Sequence, residues 1–200
     1  MMSAAPKPLL TPQEYLTRER RAETKSEYLR GEVFAMSGAS RAHNLIATNA
    51  AAELRQQLRD RPCEVYVGDM RVKVSPTGLY TYPDVTVVCG EPEFEDEEVD
   101  TLLNPKVLVE VLSPSTADYD RGGKFTHYRR LPSLHEYVLI SQDRPLVEHY
   151  VRQGPDEWLL TERSSLEDIL VLPSLPCRLP LSEIYFKVRF PSEDASSRTP

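Results

Sequence analysis

The chain has 200 residues, 40% hydrophobic and 28% charged, enough to bury a core and too much to be wholly disordered. No apolar run approaches the roughly 20 residues that cross a bilayer, so no membrane span is expected. The 24 basic and 31 acidic residues give a net charge of −7, so the overall basic signature of a nucleic-acid binder is absent.

The acidic excess is local. Residues 91–100, EPEFEDEEVD, hold seven acids and no base, and the remainder balances at 24 of each sign. A polyanion site elsewhere is therefore compatible with the composition, and the acidic segment itself is expected to be a solvated loop. Met1 to Leu10 lacks a basic region followed by an apolar one, so no secretory leader is expected. Cys63, Cys89 and Cys177 are odd in number, far apart and without a Cys-x-x-Cys pair. That argues against a zinc knuckle or a disulfide framework and fits a reducing, cytoplasmic setting.

In chain order, Thr11-Pro12-Gln13-Glu14 is a helix start: a capping threonine, proline in the first turn, and a glutamate placed to close a capping box. The helix should run to about Glu19. Apolar residues on both sides of Arg30-Gly31, from Glu27 to Met36, predict a tight hairpin. Ser40 caps a second helix whose stripe is His43, Ile46, Ala47, Ala50, Leu54 and Leu58, closed by Pro62. Four extended runs follow: Cys63–Val67, Met70–Val74, Pro83–Cys89 and, after the acidic loop, Lys106–Leu112. The last two are nearly continuously apolar, as in strands covered on both faces.

After Ser113-Pro114-Ser115-Thr116 a helix is predicted from about Ala117 to Arg130, weakened by Gly122-Gly123 and ended by Leu131-Pro132. Tyr137–Ser141 and Leu146–Val151 form a hairpin that Glu157–Thr161 extends, and Leu181–Phe186 forms one further helical turn. The tail from Pro191 has the composition of disorder. The order of elements predicts an α/β or α+β protein, a mixed sheet with helices, as a single domain over residues 1–190.

Two acids stand out. Asp84 opens the third extended run and Glu110 lies inside the fourth. A bare carboxylate in an apolar strand is costly and needs a partner or a metal. If the two strands are neighbours the carboxylates converge. Hard oxygen ligands without His or Cys suit Mg²⁺ or Mn²⁺, with backbone carbonyls near Val111 to complete the shell. The alternative is two strand acids satisfied by Arg, Lys or backbone donors. Lys124, one helical turn after Asp120 and one before Tyr128, is by itself an exposed lysine in an i, i+4 pair. Its interest lies in its helix, which directly follows the Glu110 strand. Arg71 and Lys73 share one face of an extended run and are candidates for phosphate contact; an exposed strand face is the alternative.

Pro83-Asp84-Val85, then Val109-Glu110-Val111-Leu112-Ser113-Pro114-Ser115-Thr116, then Asp120-x-x-x-Lys124-x-x-x-Tyr128, resemble the bacterial Uma-two family of endonucleases, within the PD-(D/E)XK nuclease superfamily. Glu27-Tyr28-Leu29-Arg30-Gly31-Glu32-Val33 and His43 look like that family's N-terminal pattern. The superfamily's usual lysine follows the acid by two residues, where this chain has Leu112; the resemblance implies that Lys124 takes its part.

It also implies a restriction-endonuclease-like fold, Mg²⁺ or Mn²⁺ held by Asp84 and Glu110, and hydrolysis of phosphodiesters in DNA. Lys124 would orient water or stabilise developing charge. Glu27 would be a third acid, with a hairpin ion pair to Lys25 or Arg30 as the alternative. His43 is a further candidate, though its place on an apolar stripe also fits a satisfied core or helix-start histidine. Asp120 would orient Lys124, and Tyr128 would pack in the core with its hydroxyl paired. His127, His135 and His149 show no metal spacing. The competing expectation is a nuclease-fold module without chemistry, acting in DNA binding or protein interaction. A homodimer is expected, two-fold assemblies being the commonest and suited to cutting two strands.

Overall fold

The computed structural model describes residues 9–191. The predicted tail, apart from Pro191, lies outside them. Helix α1 (Pro12–Glu19) begins with the expected capping box, Thr11 and Glu14 each accepting from the other's backbone N–H. Strands β1 (Ser26–Leu29) and β2 (Glu32–Ala35) form the hairpin around Arg30 and Gly31, both at positive φ. That pair of φ values is the turn that matches strand twist.

Helix α2 (Arg41–Gln57) is capped by Ser40. Then come β3 (Cys63–Val67), β4 (Arg71–Val74), β5 (Leu79–Thr81), β6 (Val85–Cys89), β7 (Thr101–Leu102) and β8 (Val107–Leu112). A π-helical stretch, Tyr119–Lys124, runs into α3 (Phe125–Tyr128) in place of one regular helix to Arg130. The two adjacent glycines, poor α-formers, sit in the widened turn. Strands β9 (Glu136–Ser141), β10 (Val147–Arg152), β11 (Trp158–Arg163), β12 (Ile169–Leu172) and β13 (Cys177–Pro180) follow, then α4 (Leu181–Ile184).

The strands make a mixed six-stranded sheet, β11-β10-β9-β8-β6-β3, a five-stranded sheet, β2-β1-β5-β4-β7, and the β12–β13 pair. In the larger sheet β8 runs parallel to β9 and antiparallel to β6. Strand β8 is buried at every position. Val107, Val109 and Val111 pack with Ile46, Ala50 and Leu54 of α2. Leu108 and Leu112 pack on the opposite face with Tyr128, Leu131, Val72 and Val74. Glu110 belongs by alternation to this second face, between the sheets, where the π-helical stretch also lies.

Three expectations are corrected. Cys63 and Cys89 are bonded, with sulfurs 1.99 Å apart. They are remote in sequence, but β3 and β6 pair antiparallel along their whole length, which sets the two cysteines directly opposite. The acidic segment is not free in solvent. Asp96 and Asp100 grip Arg20 at 2.7 and 2.8 Å, and Glu95 holds Lys73 at 2.5 Å. For the same reason Arg71 and Lys73 do not face a phosphate. Arg71 is buried against Tyr82, Thr101 and Asp100, and Lys73 is spent on Glu95.

Candidate active site: a lysine among carboxylates

The β6–β8 register pairs Val85 with Val109, so the next step sets Asp84 across from Glu110. Opposed residues of an antiparallel pair are neighbours, so Asp84, at the strand end, lies beside Glu110. The Val111 N–H donates to Asp84 Oδ2 at 2.7 Å, fixing that carboxylate at the strand end. His43, on the first turn of α2, brings Nε2 to 3.2 Å from the same oxygen.

Glu27 arrives from the other sheet. β1 pairs with β5 so that Tyr28 meets Tyr80, which places Glu27 beside Thr81. The Thr81 hydroxyl donates to Glu27 Oε1 at 2.5 Å. Lys25, the hairpin alternative, is instead held by Asp69 at 2.9 Å.

Lys124 joins the two sheets. Its Nζ lies 3.0 Å from Glu110 Oε1, 3.3 Å from Glu27 Oε1 and 3.3 Å from Asp120 Oδ1. The Tyr128 hydroxyl donates to Glu110 Oε1 at 2.8 Å. Tyr128 is thus in the core, as its spacing predicts, with its hydroxyl aimed at the site.

The electrostatics follow from burial. Withdrawal from water pushes the Glu110 carboxyl up to about 8; Lys124 opposes this, and the charges of Asp120 and Asp84 reinforce it. Asp120 is raised as well, again chiefly by burial. Burial alone would depress Lys124, but Glu110, Glu27 and Asp120 outweigh it and hold its pKa well above the ordinary lysine range. The ammonium is therefore charged. The Asp84 side chain is 21% exposed against 5% for Glu110, so the cluster opens to solvent on the Asp84 side.

Tyr119 is a further part of the site. Its ring centroid is 5.9 Å from Lys124 Nζ. Its hydroxyl lies near the Glu27 carboxylate, and burial with that charge pushes the phenol up to about 12. Beside the cluster, off the ends of β8 and β9, a cleft of about 180 Å³ is lined by Leu112, Ser113, Arg121, Ser141 and Arg144 among others. Arg121 is oriented there by Glu148 at 2.8 Å.

A family model described as "Putative restriction endonuclease", Uma2, matches residues 12–182. The chain belongs to the Uma2 family. An uncharacterized protein of Synechocystis sp., sll1609, is 43% identical over 162 residues, spanning 81% of this chain and 92% of that one. A second from the same organism, slr1290, is 35% identical over 187 residues, spanning 94% and 97%. A crystal structure from Anabaena variabilis, described as a "putative nuclease belonging to DUF820", superposes with a TM-score of 0.69 at 19% identity, covering 88% of this chain and 97% of that one. The fold is thus that of a protein described as a nuclease.

In this Uma2 chain the usual superfamily lysine position, Leu112, is buried in the apolar layer with Tyr128 and Leu131. An ammonium there would share the face of Glu110 but would have to displace that apolar packing. Among the described residues no three His, Cys, Asp or Glu side chains stand in a ready-made ion cage. The acids turn to Lys124 instead. Their chemistry nevertheless fits a hard divalent cation: every donor is a carboxylate oxygen. Asp120 Oδ1, moreover, is buried without a hydrogen-bond partner, approaching Lys124 without the alignment of a bond. Among the described residues no helix is long and apolar enough to cross a membrane.

Proposed function

We propose that this chain is a Mg²⁺- or Mn²⁺-dependent endonuclease that hydrolyses phosphodiester bonds in DNA. The observation that carries this is the convergence of Glu110, Glu27 and Asp120, from two sheets and a π-helical turn, around the single ammonium of Lys124, with Asp84 held by the Val111 N–H on the strand beside Glu110. So many acids beside one base repel a phosphodiester unless more positive charge is present.

Asp84 and Glu110, with the Val111 carbonyl, are the residues that would hold the cation, which when bound lowers the pKa of water and offsets charge on the phosphoryl oxygens. The protein's own residues supply the positioning. Val111 N–H and His43 fix the Asp84 carboxylate, and Tyr128 fixes that of Glu110. Lys124 has three N–H donors and three acid partners, so contact with the scissile phosphate exchanges one carboxylate for a phosphate oxygen. Arg121 and Arg144, in the adjoining cleft, supply cations for the flanking backbone.

The test is a digestion panel. Purified protein and plasmid are incubated with Mg²⁺, Mn²⁺ or EDTA, beside Asp84→Asn and Lys124→Ala. Nicking or linearisation is expected from the wild type with a cation only. Equal cleavage by both variants would remove these residues from the reaction.

A second reading has its own support. The same three acids that position Lys124 also occupy its donors, as in a structural ion pair, and a nuclease-fold binding module would look the same. Titration calorimetry with Mn²⁺ separates the two. Heat that Glu110→Ala abolishes supports the enzyme; DNA binding with no cation heat in the wild type supports the module. A two-fold dimer is part of the first proposal, and light scattering on the eluted protein measures it.

A further inference from the structure

We propose that Tyr119 and Phe34 form an aromatic platform at the mouth of the lysine–carboxylate cluster on which an unpaired nucleic-acid base stacks, so that the favoured substrate is single-stranded or locally unpaired. This rests on the nuclease reading above and gives it a substrate form.

Two independent placements carry it. The first is Tyr119. Its side chain is held on three sides: the ring lies on Gly123, the ring centroid is 5.9 Å from Lys124 Nζ, and the hydroxyl lies near Glu27. A Cβ built on Gly123 would fall inside the ring's contact distance, so this seat requires a glycine. Yet Tyr119 remains 40% exposed. A large aromatic so fixed, with a bare surface beside the reacting groups, is preorganised for a flat partner.

The second is Phe34. It lies on β2, the edge strand of the five-stranded sheet, in which every residue is exposed. Its register partner on β1 is Glu27, so Phe34 stands on the face of the sheet that carries Glu27 toward Lys124. It is 48% exposed. An apolar ring on an open edge strand is a liability unless it meets something. Next to a phosphodiester site, the flat apolar group on offer is a base of the same substrate. Base–aromatic stacking is worth about 1–3 kcal/mol per base and needs no particular sequence. A paired base in a duplex has both faces covered and cannot use it without being unstacked.

The test uses a DNA oligonucleotide carrying 2-aminopurine, as a single strand and as a duplex, bound in Ca²⁺. The proteins are wild type, Tyr119→Phe, Tyr119→Ala, Phe34→Ala and Gly123→Ala, each with its melting temperature measured. Wild type and Tyr119→Phe should bind the single strand more tightly than the duplex and change the fluorophore's emission on binding. Tyr119→Ala, Phe34→Ala and Gly123→Ala should lose the emission change and bind the single strand roughly tenfold more weakly. Duplex binding by Phe34→Ala should stay unchanged.

Folded alanine variants that keep wild-type affinity and emission change overturn the platform, as does a wild type that prefers duplex with no emission change. A wild type that shows stacking but never cleaves with Mg²⁺ or Mn²⁺ keeps the platform and overturns the nuclease reading. A wild type that cleaves single strand and duplex equally, with all three variants like it, overturns the platform alone.

Discussion

The Lys124 ammonium lies 3.0 Å from Glu110 Oε1, inside a pocket of acids drawn from three separate elements. Glu27 comes from a hairpin of the other sheet and Asp120 from the preceding turn of the same π-helical stretch. The pair thus holds the layers together as well as marking the site.

Removing the base should therefore unsettle the fold. Lys124→Ala leaves Glu27, Glu110 and Asp120 buried without their cation, and breaking a buried pair by deleting one partner costs about 3–5 kcal/mol. Urea unfolding measures this. The double variant Lys124→Ala, Glu27→Gln should recover part of the loss, because one uncompensated charge is gone. Additive losses would mean that the two side chains do not interact.

The clasp on the acidic segment makes a prediction about pH. Asp100 accepts from Arg20, which with lesser help from Thr101 and Arg71 lowers its pKa below the ordinary carboxylate range to about 2. A depressed carboxylate contributes stability that is fully present above its unfolded value and is lost as pH falls through the folded one. The wild type should lose stability between roughly pH 4 and pH 2. Asp100→Asn should be less stable at pH 6 and flatter across that interval. Parallel wild-type and variant curves in acid would contradict the pairing.

The Cys63–Cys89 bond closes a loop with a sequence separation of 26. Constraint of the unfolded chain by a loop of that size stabilises by about 3 kcal/mol. Denaturant unfolding with and without reductant should show a midpoint shift of that order. The Cys63→Ser, Cys89→Ser protein should match the reduced wild type and no longer respond to reductant. An intact mass lacking the two-hydrogen difference on reduction would refute the bond.

A buried pair remote from the site should also matter. Glu136 is fully buried, holds His149 Nε2 at 2.6 Å and accepts from the Ser174 N–H at 2.8 Å. Glu136→Leu orphans both, at about 1–3 kcal/mol for each polar group left unpaired. Thermal unfolding should show the loss while nucleic-acid binding by the remaining folded protein stays as it was.

Much of the frame was legible. Capping residues announced α1 and α2, and apolar runs announced β6 and β8, so the acids embedded in those runs could be picked out as costly and paired on paper. What failed was pairing over distance. The short strand β5 lies in a segment, SPTGLYTYP, that reads as turn, so Thr81 was not seen beside Glu27. Arg71 and Lys73 were visible as charges, but their acids sit on a loop whose return path no local pattern gives. Cys63 and Cys89 end two runs of five residues, and only the register makes them neighbours. Lys124 stood out through family resemblance, since an i, i+4 acid alone describes many surface lysines. Tyr119 left a faint trace: a glycine four residues later, where a helix would prefer a side chain.

The wide turn from Tyr119 to Lys124 has the geometry of an α-helix with one residue added. Excising either glycine would let it rewind, turning Lys124 by about 100° around the axis and off the carboxylates. Sheets and core would survive such a deletion. A single lost codon would thus part the ammonium from its acids while leaving the frame folded, and sequences shortened by one at this spot are where chains with that cluster undone should be sought.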